Sequence, residues 1–149
     1  MRFINDIILH CTATPPGMDV DAKTIGEWHR QRGWKGIGYH YVVKLDGTIE
    51  RGRPISTPGA HCKGHNAHSV GVCYVGGVDT NGAPADTRTK IQKAALMWLL
   101  ANLTIMYRCR CHGHYEYDHG KACPCFDVQK EYGGLYDQIV LHSRDSSVR

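Results

Sequence analysis

Short apolar runs mark the first half of the chain, and one long periodic stretch follows residue 86. Ile7-Ile8-Leu9, closed by His10, predicts a strand over Asp6 to His10, because an unbroken apolar run of this length suits a strand covered on both faces. Thr12 to Gly17 reads as a loop. Asp21 to Arg32 predicts an amphipathic helix with Ile25, Trp28 and His29 turned inward, and Gly33 is placed to end it in the left-handed conformation. Tyr39 to Lys44 and Thr48 to Glu50 predict two strands around the Asp46-Gly47 pair, a strong hairpin signal. Pro54 to His68 is a long loop rich in glycine, proline and histidine, and loops of that length in compact domains are often functional. Ser69 to Val75 predicts an apolar strand. Thr87 to Tyr107 predicts a long helix with Ile91, Ala95, Trp98, Leu99, Leu103 and Met106 facing inward, and Arg108 to His114 a short strand. Residues 142–149 are expected to fray. Strands alternating with helices, one pair of them a hairpin, predict a single α/β domain over residues 1–149, with a mixed central sheet flanked by helices.

Composition narrows the class. At 149 residues the chain can bury one substantial core, and 42% hydrophobic with 21% charged residues is ordinary for a globular protein. The longest apolar stretch, within Ala94 to Met106, is broken by Asn102 and Thr104 and is too short to span a bilayer. Met1 to Asp6 carries no apolar signal segment, so no signal peptide and no membrane insertion are expected. The net charge of +4 suits an anionic polymer but is too mild to point to nucleic acid, and a monomer is expected. Seven cysteines without a signal peptide read as reduced thiols and ligands rather than a disulfide framework.

The candidate chemistry is a split set of metal-ligating side chains. His10 ends the first strand; Gly113-His114-Tyr115-Glu116 and Lys121-Ala122-Cys123-Pro124 lie far downstream. Two imidazoles and one thiolate leave the fourth zinc position open, the pattern of a catalytic rather than a structural site. Zinc brings the pKa of water to ~7, which makes a nucleophile available at neutral pH. The chain therefore reads as a metal-dependent hydrolase. His112 and His119 compete with His114 for the second imidazole position. A closed structural site built from Cys109, Cys111, His112, His114, Cys123 and Cys125 is the rival metal arrangement. Alternation along a strand opposes it, because Cys109 and Cys111 then face away from His112 and His114.

Five segments occur in order: Ile8-Leu9-His10-Cys11-Thr12-Ala13-Thr14, Gly38-Tyr39-His40-Tyr41, Lys44-Leu45-Asp46-Gly47-Thr48, Ser69-Val70-Gly71-Val72-Cys73 and Lys121-Ala122-Cys123-Pro124. Together they resemble the zinc N-acetylmuramoyl-L-alanine amidases of the phage T7 lysozyme type, relatives of the peptidoglycan recognition proteins. The resemblance runs from about residue 7 to 127. It implies a mixed sheet with a zinc cleft on one side, and hydrolysis of the amide between N-acetylmuramic acid and L-alanine in peptidoglycan. It places His10, His114 and Cys123 on the zinc-ligand positions, Tyr39 and Lys121 on the catalytic positions, and His61 in a cleft-lining loop as a substrate-binding residue. The spacing from His114 to Cys123 is one residue longer than is usual in that family, which brings His119 into question as a fourth ligand. The role implied is that of a phage or prophage endolysin, accumulating in the cytoplasm and reaching the wall after holin-type release or lysis. A non-catalytic peptidoglycan-binding module and a cytosolic muropeptide-recycling amidase are the alternatives.

Overall fold

The computed structural model describes residues 1–145. Its centre is a five-stranded sheet built from β1 (Asp6–Cys11), β2 (Tyr41–Val43), β3 (Ile49–Arg51), β4 (Ser69–Tyr74) and β5 (Arg110–Gly113). The spatial order is β3-β2-β4-β1-β5; β2 and β3 form the antiparallel hairpin, and the other neighbours are parallel. The mixed α/β sheet matches the expectation from the sequence. Every residue of β1 and β4 is buried, as strands covered on both faces must be.

Strand alternation divides the chemistry of the two faces. Ile7, Leu9 and Cys11 of β1 and Val70, Val72 and Tyr74 of β4 join one apolar core with Leu96, Leu99, Leu100 and Leu103 of α2 (Lys90–Tyr107). Asp6, Ile8 and His10 pair in register with Ser69, Gly71 and Cys73 and face the other side. That second side is covered by α1 (Ala22–Gln31) and the long loop before β4.

α1 begins at Asp21, whose side chain accepts a hydrogen bond from the Thr24 amide at 2.8 Å. Thr89 caps α2 in a reciprocal box: the Gln92 amide donates to Thr89 Oγ1 at 3.1 Å, and the Thr89 amide donates to Gln92 Oε1 at 2.9 Å. The Gln92 side chain then turns into the core and donates from Nε2 to the Val75 carbonyl at 2.9 Å.

The predicted inward face of α2 holds for Leu99 and Leu103, which are buried, and for Ala95, which packs against the core, but not for the other three positions. Ile91, Trp98 and Met106 are 56%, 61% and 67% exposed, while Gln92 and Thr104 are fully buried. The helix is apolar nearly all round, so polarity alone could not orient it; the Gln92 bond to Val75 does. The tail expected to fray from residue 142 begins with a helical turn, His142–Asp145, and the rest of it lies outside the described residues. α3 (Val128–Tyr132) was not expected from the sequence, and it is capped by the Asp127 side chain. It is anchored by Arg88, whose side chain is wholly buried. Arg88 pairs with Asp86 at 2.9 Å and Glu131 at 2.5 Å, and its guanidinium lies 3.4 Å over the Phe126 ring.

Candidate metal centre

The parallel pairing of β1 and β5 brings two distant histidines together. Leu9 is in register with Gly113, so His10 and the next residue after β5, His114, emerge side by side at the carboxyl ends of neighbouring strands. That end of a parallel sheet is where crevices form. Their rings lie 4.6 Å apart. The third candidate arrives from the loop after β5. The Tyr115 amide donates to the Cys123 carbonyl at 2.9 Å, and the Tyr74 hydroxyl donates to the Pro124 carbonyl at 2.6 Å. The Cys11 amide donates to Cys123 Sγ at 3.2 Å, which aims the sulfur at the histidines. One ligand atom from each of His10, His114 and Cys123 lies within 4.8 Å of the other two, and His10 Nδ1 is 4.0 Å from the sulfur. This is the only such group found among the described residues. Two nitrogens and one sulfur are a donor set that suits zinc, with room left for a further ligand.

Electrostatics favour metal over protons. Burial, then the charges of His61, His114 and Lys121, holds His10 well below the ordinary imidazole range. Burial and Lys121 lower His114 as well. Both rings are therefore neutral at pH 7, the form that binds a metal ion.

The other candidates fall into place around this group. The Tyr39 ring lies 5.1 Å from that of His10, and its phenol is pushed well above 10 by burial, so it stays protonated. Lys121 is exposed and close enough for its charge to act on both histidines. His119 is exposed, and a turn closed by the Lys121 amide donating to the Asp118 carbonyl at 3.0 Å takes up the longer connection. His112 is not at the centre: its Nδ1 meets Glu116 at 3.1 Å and its Nε2 lies 3.6 Å from Asp6. Glu116 also accepts from the Gly113 and Gln129 nitrogens, so it fixes the turn after β5 rather than entering the cleft. Cys109 and Cys111 sit in the apolar core, away from the imidazoles, which removes the closed structural site.

His61 lines the cleft that adjoins the metal centre. It is 8% exposed and stands behind His10, with His10 Nε2 to His61 Nδ1 at 2.8 Å and His61 Nε2 to Ser69 Oγ at 3.1 Å. The sequence signal for this arrangement was weak: a serine at the head of an apolar strand and a glycine two residues on. That open cleft, of about 430 Å³, is also lined by Trp34, Lys63, His114 and Asp118. A slightly larger hollow of about 480 Å³ around Arg51, Ile55 and Tyr107 holds none of the ligands.

Buried neutral histidines make stability depend on pH. The Gly38 amide donates to His29 Nδ1 at 2.8 Å, and the Gly71 amide donates to His40 Nδ1 at 3.0 Å, so protonating either nitrogen sets two donors face to face. Burial brings His29 and His40 down to about 4 and His61 to about 3. The unfolded chain takes up these protons near pH ~6.5. The stabilisation is therefore complete above that pH and is lost as pH falls toward 4, by about 3 kcal/mol for each group. We expect the Tm of the metal-free protein to fall steeply between pH 6.5 and 4.5 in thermal melts; a flat profile would show that these rings are solvated.

The chain matches the N-acetylmuramoyl-L-alanine amidase family over residues 1–126. It is 41% identical to the endolysin of Klebsiella phage KP32 over 126 residues, which is 85% of this chain and 83% of that one. It is also 41% identical to the endolysin of Escherichia phage T7, covering 83% of this chain and 82% of that one. Among solved structures, it superposes on the N-acetylmuramoyl-L-alanine amidase LysC from Clostridium intestinale URNW with a TM-score of 0.75 and 31% identity, over 87% of this chain and 83% of that one. The sheet order, the cleft at the carboxyl ends of the strands and these matches together make the chain a member of the N-acetylmuramoyl-L-alanine amidase family.

Proposed function

We propose that the chain hydrolyses the amide between N-acetylmuramic acid and L-alanine in peptidoglycan, as a phage endolysin, with one zinc ion held by His10, His114 and Cys123. The observation that carries this reading is the convergence of those ligand atoms beside an open cleft in a chain of this family. Zinc at this position supplies Lewis acidity toward the scissile carbonyl and a water that is acidic near neutral pH.

The chain's own groups do the rest. Burial keeps the Tyr39 phenol protonated, so it donates a hydrogen bond that orients the water or the carbonyl oxygen. Lys121, whose charge acts on both ligand histidines, offsets the negative charge that develops on that oxygen. Trp34 and Lys63 on the cleft wall offer a flat apolar face and a charge to the polymer. In this reading the protein acts as a monomer on the cell wall, which it reaches by holin-type release or lysis. No helix among the described residues is long and apolar enough to cross a membrane.

Digestion of purified sacculi with the zinc-loaded protein, followed by mass analysis, tests the bond. The expected products are peptides with free L-alanine amino termini and intact glycan strands. New reducing sugars without new amino termini would instead mean glycosidase chemistry.

A further inference from the structure

Both ring nitrogens of His61 are already committed. Nδ1 faces His10 Nε2 at 2.8 Å and Nε2 faces Ser69 Oγ at 3.1 Å, leaving neither for a substrate. The ring is held from several sides. A Cβ on Gly71 would come within 2.6 Å of His61 Cδ2, and one on Gly59 within 2.5 Å, so those two glycines form the slot it occupies. Asn66 Oδ1 accepts from the His61 and Cys62 amides at 2.9 and 3.0 Å and fixes the backbone beneath. Ser69 is itself 1% exposed at the head of β4.

The geometry assigns His61 and Ser69 as a positioning pair that sets the tautomer and aim of His10. His10 turns Nδ1 toward Cys123 Sγ, 4.0 Å away, so this is the nitrogen facing the metal position. Its proton must then sit on Nε2, where His61 Nδ1 accepts it; His61 in turn carries its proton on Nε2 and donates to Ser69 Oγ. The directions of the two bonds agree all along the chain. Ligand histidines elsewhere usually donate to a carboxylate or a carbonyl. Here a neutral imidazole takes that place, so His10 is oriented without a second negative charge being added to the centre. This assignment rests on the metal reading above and goes beyond it, because it names what holds the ligand rather than the ligand.

The test compares His61→Leu, which fills the slot but cannot accept, with His61→Asn, whose side-chain oxygen can stand in for Nδ1. Zinc affinity is read by competition with a chromophoric chelator, and the His10 tautomer by imidazole nitrogen NMR on the metal-free protein. Outer partners of this kind are worth about 10- to 100-fold in metal affinity. We expect His61→Leu to lose affinity in that range and His61→Asn to recover most of it. We also expect wild-type His10 to carry its proton on Nε2. Equal loss in both variants would reduce His61 to packing, and unchanged affinity in a folded His61→Leu would overturn the assignment. Should His61→Leu fail to fold, the wild-type tautomer decides: a proton on Nδ1 overturns it, and one on Nε2 that becomes mixed in Ser69→Ala supports it. A wild-type chain that binds no zinc would instead fail at the metal reading, which separates the two.

Discussion

Cys123→Ser should bind zinc more than about 100-fold more weakly than the wild type and lose nearly all cleavage of sacculi, since a direct ligand is worth more than the outer partners that cost 10- to 100-fold. A serine hydroxyl stays protonated at neutral pH and offers no anionic sulfur, so the centre keeps only two neutral imidazoles. The substitution is small and the residue is only half-buried; two bonds that hold its loop use the Cys123 and Pro124 carbonyls, and the Cys11 amide that donates to the sulfur can donate to a serine oxygen instead. The metal-free variant should therefore melt close to the metal-free wild type. Equilibrium dialysis with metal analysis, beside a turbidity assay on sacculi, reads both effects. A variant that cleaves at the wild-type rate would sink the metal mechanism.

Lys121→Ala should keep zinc and the fold but lower kcat by about two orders of magnitude, because one donor to a developing oxyanion is worth ~3 kcal/mol. Lys121 is exposed, so its removal costs the fold little. Its charge also helps to hold His10 and His114 below the ordinary imidazole range. Without it both rings rise, protons compete with the metal at a higher pH, and the acid limb of zinc binding moves up. Lys121→Arg should restore that limb. Tyr39→Phe should likewise keep zinc and lower kcat, leaving the acid limb where it is. A Lys121→Ala enzyme with normal kcat would make the lysine a surface charge and nothing more.

The sheet was readable because its signals are local. An apolar run makes β1, an Asp-Gly pair makes the hairpin, and Asp21 caps α1, each within a few residues. His10, His114 and Cys123 could be named in advance from the ordered segments that carry the family likeness. What could not be read was direction. On α2 Leu99 and Leu103 were placed inward correctly and Ile91, Trp98 and Met106 were not, because apolar residues lie on most sides and the buried Gln92, bonded to Val75 17 positions away, marks the inner one. His61 carries the same lesson. Nothing near it in sequence says that it faces His10 across 51 positions, since that depends on an empty slot over Gly71 that only the folded sheet creates. The helical turns after Asp127 were missed because Gly133-Gly134 interrupts their apolar pattern and the buried anchor, Arg88, lies far upstream.

The separation between His10 and Cys123, 113 positions along the chain, has a consequence for how the molecule comes apart. An ion gripping both residues would tie about three quarters of the polypeptide into a single ring. Breaking the grip frees a long stretch of chain at once, and the entropy of closing so large a ring grows only slowly with its length. Such an ion would work as a reversible clasp on the fold as well as the seat of the chemistry. Stripping it with a chelator would loosen the sheet at β1, between β4 and β5, while silencing the enzyme.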